Sequence, residues 1–140
     1  MTCSICGKKI EGFGNNAWPI KEGICCDECN NKQVVPLRIF LSGVLKDTVA
    51  VVKPNNTVEF NEHKEGLNLK DAQRYVEGYI ELLNVKHKHF YLIVNEEGRL
   101  KNLPYNELAY KLFGLDVVGN LIGILGQHPQ LLGTDAHAGN

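Results

Sequence analysis

The sequence predicts an α+β protein in which a small four-cysteine zinc module precedes an antiparallel sheet with two helices. Two Cys-x-x-Cys pairs lie within the first 29 residues. Short β-branched and alternating runs follow, and two amphipathic stretches interrupt them. We therefore divide the chain into a zinc-binding module at 1–36, a connector at 37–46, an α+β domain at 47–132 and a flexible tail at 133–140.

The cysteine pattern predicts one tetrahedral zinc site. Cys3 and Cys6 form the first pair, and Cys26 and Cys29 form the second. Each two-residue spacer lets both sulfurs of a pair converge on one ion, and two pairs complete the shell. Because four thiolates leave no open position, we expect the zinc to be structural. Cys25 is the alternative to Cys26 as third ligand, and the cysteine spacing leaves that choice open.

Two other uses of the cysteines fit the pattern less well. All 5 cysteines are N-terminal, their number is odd, and no signal peptide precedes them, which disfavours disulfides. A redox Cys-x-x-Cys would open a helix beside a strand, and one pair would suffice. We therefore expect reduced thiols and a cytoplasmic protein. The sequence contains no apolar run long enough to cross a membrane.

The charge of the chain disfavours strong nucleic-acid binding. The formal net charge is -1 and the isoelectric point is about 6.5, so no basic patch stands out for neutralising phosphates. Weak binding through the zinc module remains an alternative function, with Lys8, Lys9, Trp18 and Lys32 as its contacts.

Within the zinc module, turn-forming residues at 12–16 predict a loose hairpin over the metal. A helix is expected to begin at the second cysteine pair, over 29–35, as it does in treble-clef zinc modules. Pro36 then starts, breaks or falls early in an element. The apolar run 37–45 fits either a short buried helix or an extended connector.

The second half of the chain shows clearer periodicity. Asn68 is a candidate helix cap, Gly78 a helix end, and Pro104 suits the first turn of a second helix. Residues 95–98 are expected to form a hairpin turn. The predicted strands are 48–53, 57–60, 79–83, 90–94 and 117–125, and the predicted helices are 69–76 and 106–113.

Two pieces of the chain resemble known families. The segment CSICGKKIEGFGNNAWPIKEGICCDECN resembles small four-cysteine zinc-finger proteins of unknown function from tailed phages. The segments VVKP, LKDAQRYVEGYIE, LIVNEEGRLKNLPYNELA and VVGNLIGI resemble an uncharacterised α+β domain family of phages and mobile elements. In that family a second glycine is expected where this chain has Glu77. The resemblance implies a phage origin but brings no established activity.

The sequence contains no phosphate-binding loop, nucleophile elbow or His-Glu-x-x-His motif. We therefore expect a non-enzymatic phage accessory protein that binds a host protein or sequesters a small nucleotide signal in counter-defence. The protein is also a possible homo-oligomer, in which a second copy would add surface to the binding site. The candidate ligand or partner surface comprises Trp18, Arg38, Phe40, Tyr79, Glu96, Glu97 and Asn106.

Two further groups of residues could bind a metal ion or a small ligand. A metal-assisted enzyme using Glu96 and Glu97 with Asn106 is the alternative to a binding protein. His87 and His89 lie between lysines in a predicted basic loop, which would suit a small anion better than a metal.

Overall fold

The computed structural model describes residues 1–45, 47–83 and 90–125. The predicted loop containing His87 and His89 and the predicted tail at 133–140 lie outside the described residues. Among the described residues, no helix has the length and apolar character needed to cross a bilayer.

The N-terminal module begins with a tight turn and a small hairpin. Thr2 and Lys9 form an antiparallel bridge around the first cysteine pair. Strands β1 (Asn15–Asn16) and β2 (Ile24–Cys25) then pair antiparallel. The Ser4 N–H donates to the Ile24 carbonyl at 2.9 Å, which joins the turn to the hairpin.

Helical residues follow the second cysteine pair without a break. Helix α1 (Asp27–Cys29) leads into a π-helical segment (Asn30–Val34) and then into helix α2 (Val35–Leu41). Pro36 has no N–H and would crowd the preceding turn of an α-helix, so the wider π turn accommodates it inside a continuous helical path. Of the two forms predicted for 37–45, the structure has the helix.

The sheet is antiparallel and has five strands. Their order is β4-β3-β7-β6-β5, so the last strand along the described chain lies at the centre. The strands are β3 (Thr48–Val52), β4 (Val58–Glu62), β5 (Ile80–Leu82), β6 (Phe90–Asn95) and β7 (Leu121–Leu125).

Each face of the sheet packs against helices, because neighbouring residues of a strand point to opposite faces. One face packs against α2, the N-terminal module and helix α4 (Glu107–Phe113), and we call it the zinc-side face after the predicted zinc module. Its buried residues include Ala50, Val52, Phe90, Leu92, Val94 and Leu121. The opposite face, with Val49, Val51, Ile93 and Ile122, packs against helix α3 (Leu69–Val76).

The two predicted helices are present, and a third packs on the same sheet. The prediction of two helices on the sheet did not include α2, because a helix was only one of the two forms predicted for 37–45. The Phe40 ring of α2 stacks on Phe90 with a centroid distance of 4.8 Å. A second correction concerns residues 95–98, which do not connect two paired strands. They enter a series of turns up to Asn102, and the next pairing is an isolated bridge between Tyr105 and Val118.

Pro104 also lies elsewhere than predicted. Helix α4 has Asn106 as its N-cap, so Pro104 precedes the helix instead of occupying its first turn.

Candidate metal centre

Four cysteines converge at the N-terminus. The sulfurs of Cys3, Cys6, Cys26 and Cys29 all lie within 4.8 Å of one another. The Cys6 and Cys26 sulfurs are 3.8 Å apart. A tetrahedral ion with Zn–S bonds of about 2.3 Å requires sulfurs about 3.8 Å apart, so the cluster has nearly the spacing of a metal shell. These are the four cysteines that the sequence predicts to hold a metal ion, and the structure brings them close together.

Local backbone geometry positions each pair. The Cys3 sulfur accepts hydrogen bonds from the N–H groups of Ile5 and Cys6, both at 3.4 Å. Gly7 closes this turn with φ +83°, a conformation that glycine adopts without strain. In the second pair, the Cys26 sulfur caps α1 by accepting from the Cys29 N–H at 3.4 Å. The two turns thus bring the four sulfurs together.

The thiols influence each other's ionisation. Burial raises the pKa of Cys3, but hydrogen bonds from the N–H groups of Cys6, Cys26 and Ile5 outweigh it and lower that pKa to about 6. Burial, together with contacts to the other three sulfurs, raises the pKa of Cys29. Ionisation of Cys3 is therefore favoured, and ionisation of Cys29 is disfavoured. A bound dication would remove this repulsion and let all four sulfurs ionise.

Cys25 is not part of the group. It lies in β2, fully buried, and belongs to the core of the zinc-side face. Burial, followed by the nearby charges of Cys3 and Cys26, raises its pKa. The structure therefore gives Cys25 the environment of a small apolar side chain.

Trp18 and Arg38 meet at the hairpin loop of the N-terminal module. The Arg38 guanidinium donates to the carbonyl oxygens of Trp18, at 2.6 and 3.0 Å, and of Asn16, at 3.1 Å. The Trp18 side chain is 53% exposed. Arg38 thus ties α2 to the hairpin loop, and the indole of Trp18 lies at the surface.

Phe40 and Asn106 are fully buried, so the prediction of a surface position does not hold for them. Phe40 lies in the aromatic centre of the zinc-side face. The Asn106 amide donates to the carbonyls of Val52 at 2.9 Å and Gly119 at 2.8 Å. It also caps α4 by accepting from the Ala109 N–H. These are packing roles.

Tyr79, Glu96 and Glu97 lie at one margin of the sheet. The Tyr79 side chain is 62% exposed and Glu96 is exposed. Glu97 is half-buried and lies 3.7 Å from the Lys101 ammonium. Among the hydrogen bonds of the described residues, none joins Asn106 to either carboxylate. The side-chain hydrogen bonds of Asn106 in the described residues go instead to Val52, Gly119 and Ala109.

The lysines considered for nucleic-acid contact share a carboxylate. Glu28 lies 3.7 Å from the Lys8 ammonium and 3.0 Å from that of Lys32. Hydrogen bonding to Lys32, followed by the charges of both lysines, lowers the pKa of Glu28. This carboxylate reduces the positive charge that the two lysines could offer to phosphates.

Sequence reasoning missed a polar cluster on the opposite face. His63 Nε2 lies 2.7 Å from the Tyr75 hydroxyl, and His63 Nδ1 lies 3.8 Å from an Asp71 oxygen. Arg74 pairs with Asp71 at 3.0 Å and covers the Tyr75 ring. The i,i+3 spacing of Asp71 and Arg74 was a usable signal. His63 comes from the end of β4, and no local pattern could have placed it here.

The fold and the cluster define an α+β protein with an N-terminal four-cysteine site suited to a metal ion. Residues 46–130 match the model of a domain of unknown function, DUF3846. The chain belongs to this family, in agreement with the resemblance of its second half to an uncharacterised domain family. No curated protein and no solved structure matches the chain. The match begins after the cysteines, so the phage zinc-finger resemblance of the N-terminal piece stays a prediction.

Proposed function

We propose that this protein is a non-enzymatic binding protein whose N-terminal module is held together by one structural zinc ion. The convergence of four cysteine sulfurs within 4.8 Å carries the proposal. Thiolates favour zinc over hard cations such as Mg²⁺ or Ca²⁺. Because four protein sulfurs close the shell, no position remains for a reacting water, and the ion's role is structural.

The order of local elements supports the same interpretation. A turn with the first cysteine pair, a hairpin, and a helix that begins at the second pair form the arrangement expected of a treble-clef-like zinc module. We therefore also propose that residues 1–36 form a ribbon-like or treble-clef-like zinc module.

Zinc content of two cysteine variants tests the site. Cys6→Ser removes an exposed sulfur, so any loss of metal does not arise from damage to the core. We expect one zinc per wild-type chain and a loss of zinc affinity on the order of 100-fold or more in Cys6→Ser. Cys25→Ala is the matched control and should keep its zinc. Equal zinc affinity in wild type and Cys6→Ser would contradict the proposal.

The proposed partner is a host protein or a small nucleotide signal, bound by a phage accessory protein in the cytoplasm of an infected bacterium. The resemblance to phage and mobile-element families and the lack of a catalytic motif support this. Native mass spectrometry of the protein purified from infected cells tests it. A retained nucleotide or host protein is expected, and a bare chain that binds neither would overturn it.

A further inference from the structure

Strand β5 forms one edge of the sheet and turns some peptide groups away from its only neighbour in the described chain, β6. The Glu96 N–H donates to the Tyr79 carbonyl at 2.8 Å, and the Leu83 N–H donates to the Leu92 carbonyl at 2.8 Å. Because these directions alternate along an antiparallel pair, the N–H and C=O groups of Ile80 and Leu82 point outward. In the part of the chain that the structure describes, no strand lies beyond them.

The opposite edge is different. The outward Val58 N–H of β4 donates to the Gln33 side-chain oxygen at 3.0 Å. A side chain from the helical segment therefore occupies the position where an added strand would bind. Edge strands with open peptide groups are templates for pairing, and proteins commonly blunt them. The described residues blunt the β4 edge at Val58 and leave β5 open.

A groove of about 260 Å³ runs beside β5 on the zinc-side face. Leu83 and Val94 form part of its wall, and Gly98, Leu100 and Val117 form another part. A strand added to β5 would place alternate side chains over this face. The groove is thus positioned to receive a side chain of an added segment.

The charge of the groove selects the class of that segment. Three acidic residues, Glu81, Glu96 and Asp116, line it together with one basic residue, Arg99. Arg99 donates to the Asp116 carbonyl at 3.0 Å, and the Asp116 carboxylate accepts from the Tyr105 hydroxyl at 2.8 Å. The lining is therefore net acidic and complements a lysine or arginine side chain.

We propose that β5 and this groove bind an extended basic segment of a partner protein, which adds a sixth strand and places a basic side chain in the groove. The inference rests on the proposed function as a binding protein. A second copy fits less well, because the register that pairs the outward groups of Ile80 and Leu82 brings two copies of Glu81 opposite one another. The chain's own residues 126–140 contain neither Lys nor Arg.

A defined peptide pair tests the proposal on the full zinc-loaded chain. The probe is a capped hexapeptide of alternating valine and lysine, and the control alternates valine and glutamate. We expect the lysine peptide to bind at least about tenfold more tightly in fluorescence anisotropy, because its charge complements the groove. Amide NMR shifts should centre on Ile80 and Leu82.

Two modifications separate strand addition from general charge attraction. N-methylation of one alternating set of peptide nitrogens should abolish binding, and methylation of the other set should not, because only one set faces β5. Glu81→Lys leaves two acidic and two basic residues in the lining and should remove the preference between the two peptides. Glu65→Lys makes the same charge change in an exposed turn and should leave the preference unchanged.

Several results would overturn the proposal: equal binding of both peptides, shifts centred on β4, insensitivity to both N-methylated sets, or dimerisation of the chain through β5. Native mass spectrometry of the protein from infected cells distinguishes this failure from failure of the proposed function. A chain with one bound zinc that retains a host protein or nucleotide but binds no basic peptide would exclude only the sixth strand.

Discussion

Glu77 occupies a backbone conformation that usually belongs to glycine. It is the C-cap of α3, with φ 64° and ψ 39°, and its N–H donates to the Gln73 carbonyl. The left-handed region crowds the Cβ of every residue except glycine, at a cost of about 1 kcal/mol or more. A second glycine is expected in the related sequences at this point. The structure supplies the physical reason for that expectation.

Glu77→Gly should therefore raise the free energy of unfolding by about 1 kcal/mol, measured by urea denaturation. Glu77→Ala is the matched control, because it removes the same carboxylate and keeps the Cβ. We expect no comparable gain from it. If both variants gained stability equally, the benefit would come from removing charge and not from relieving the backbone.

The next residue, Gly78, has to be glycine because a neighbouring side chain approaches it closely. A Cβ there would lie 2.6 Å from the Asn95 amide nitrogen. That amide donates to the carbonyls of Val76 at 2.9 Å and Glu77 at 3.3 Å, at the end of α3. The close approach of Asn95 thus depends on the missing side chain. Gly78 was predicted to end the helix, and the structure assigns that role to Glu77.

At the scale of the element, helices α3 and α4 use the same cap in different surroundings. Asn68 accepts from the Asp71 N–H at 2.8 Å in an exposed position. Asn106 accepts from the Ala109 N–H at 2.9 Å and also satisfies two buried carbonyls. The first residue supports one helix start, whereas the second joins a helix start to the last residue of β3 and to the bend that precedes β7.

Alanine at the two caps should therefore have unequal effects. Asn68→Ala should lower the free energy of unfolding by about 1 kcal/mol, the usual value of an N-cap. Asn106→Ala should cost about 3 kcal/mol, because it also leaves buried acceptors without donors. If urea denaturation gave the two variants equal losses of unfolding free energy, the additional role of Asn106 in satisfying buried carbonyls would be contradicted.

Helix α3 also makes a pH-dependent contribution to the stability of the fold, through Asp71. The hydrogen bond from Arg74, opposed by burial and aided by the charges of Arg74 and His63, lowers the pKa of Asp71. A depressed carboxyl pKa stabilises the fold above the unfolded value of about 3.9. That contribution is lost as the pH falls through the lower folded pKa.

Asp71→Asn should reduce stability by about 0.5 kcal/mol at pH 7, and the difference from wild type should vanish in acid below the folded pKa. Arg74→Gln and the double variant complete a mutant cycle. Non-additive losses at pH 7 are expected if the pair acts as a unit. If the difference in unfolding free energy between wild type and Asp71→Asn stayed constant down to strongly acidic pH, ionisation of Asp71 would not be its source.

At the scale of the whole molecule, the N-terminal module and the zinc-side face share one core. Cys3, Cys25 and Cys29 belong to the same buried cluster as Phe40 and Phe90. Arg38 adds a polar tie between α2 and the hairpin loop. The cysteine cluster therefore stabilises a layer that covers the sheet, in addition to its own turns.

Removal of the proposed zinc ion by a chelator should consequently affect more than the N-terminal module. We expect amide hydrogen exchange to accelerate in α1 and β2 first and also in α2, whose Phe40 loses its support on one side. Structural zinc supplies on the order of 10–16 kcal/mol in finger peptides, so the effect should be large. α3, on the far face, serves as the internal control. Exchange that changes only in the two cysteine turns would contradict the shared core.

The sequence predicted local features better than long-range ones. The cysteine spacing identified the four sulfurs, and helix 69–76 was predicted with the bounds that the structure gives α3. The burial of Phe40 and Asn106 could not be predicted, because it depends on contacts across the sheet. The same holds for His63, which joins Asp71 and Tyr75 from another element.

The position of β7 has a consequence for protein synthesis. Leu121–Leu125 is the last strand along the described chain, yet it lies between β3 and β6 and pairs with both. On a translating ribosome, the β3–β4 and β5–β6 hairpins would emerge without the strand that joins them. Their apolar faces would remain open until the final strand leaves the exit tunnel. Completion of the sheet should therefore wait for release of this segment, and until then the exposed apolar faces and unpaired strand edges favour aggregation.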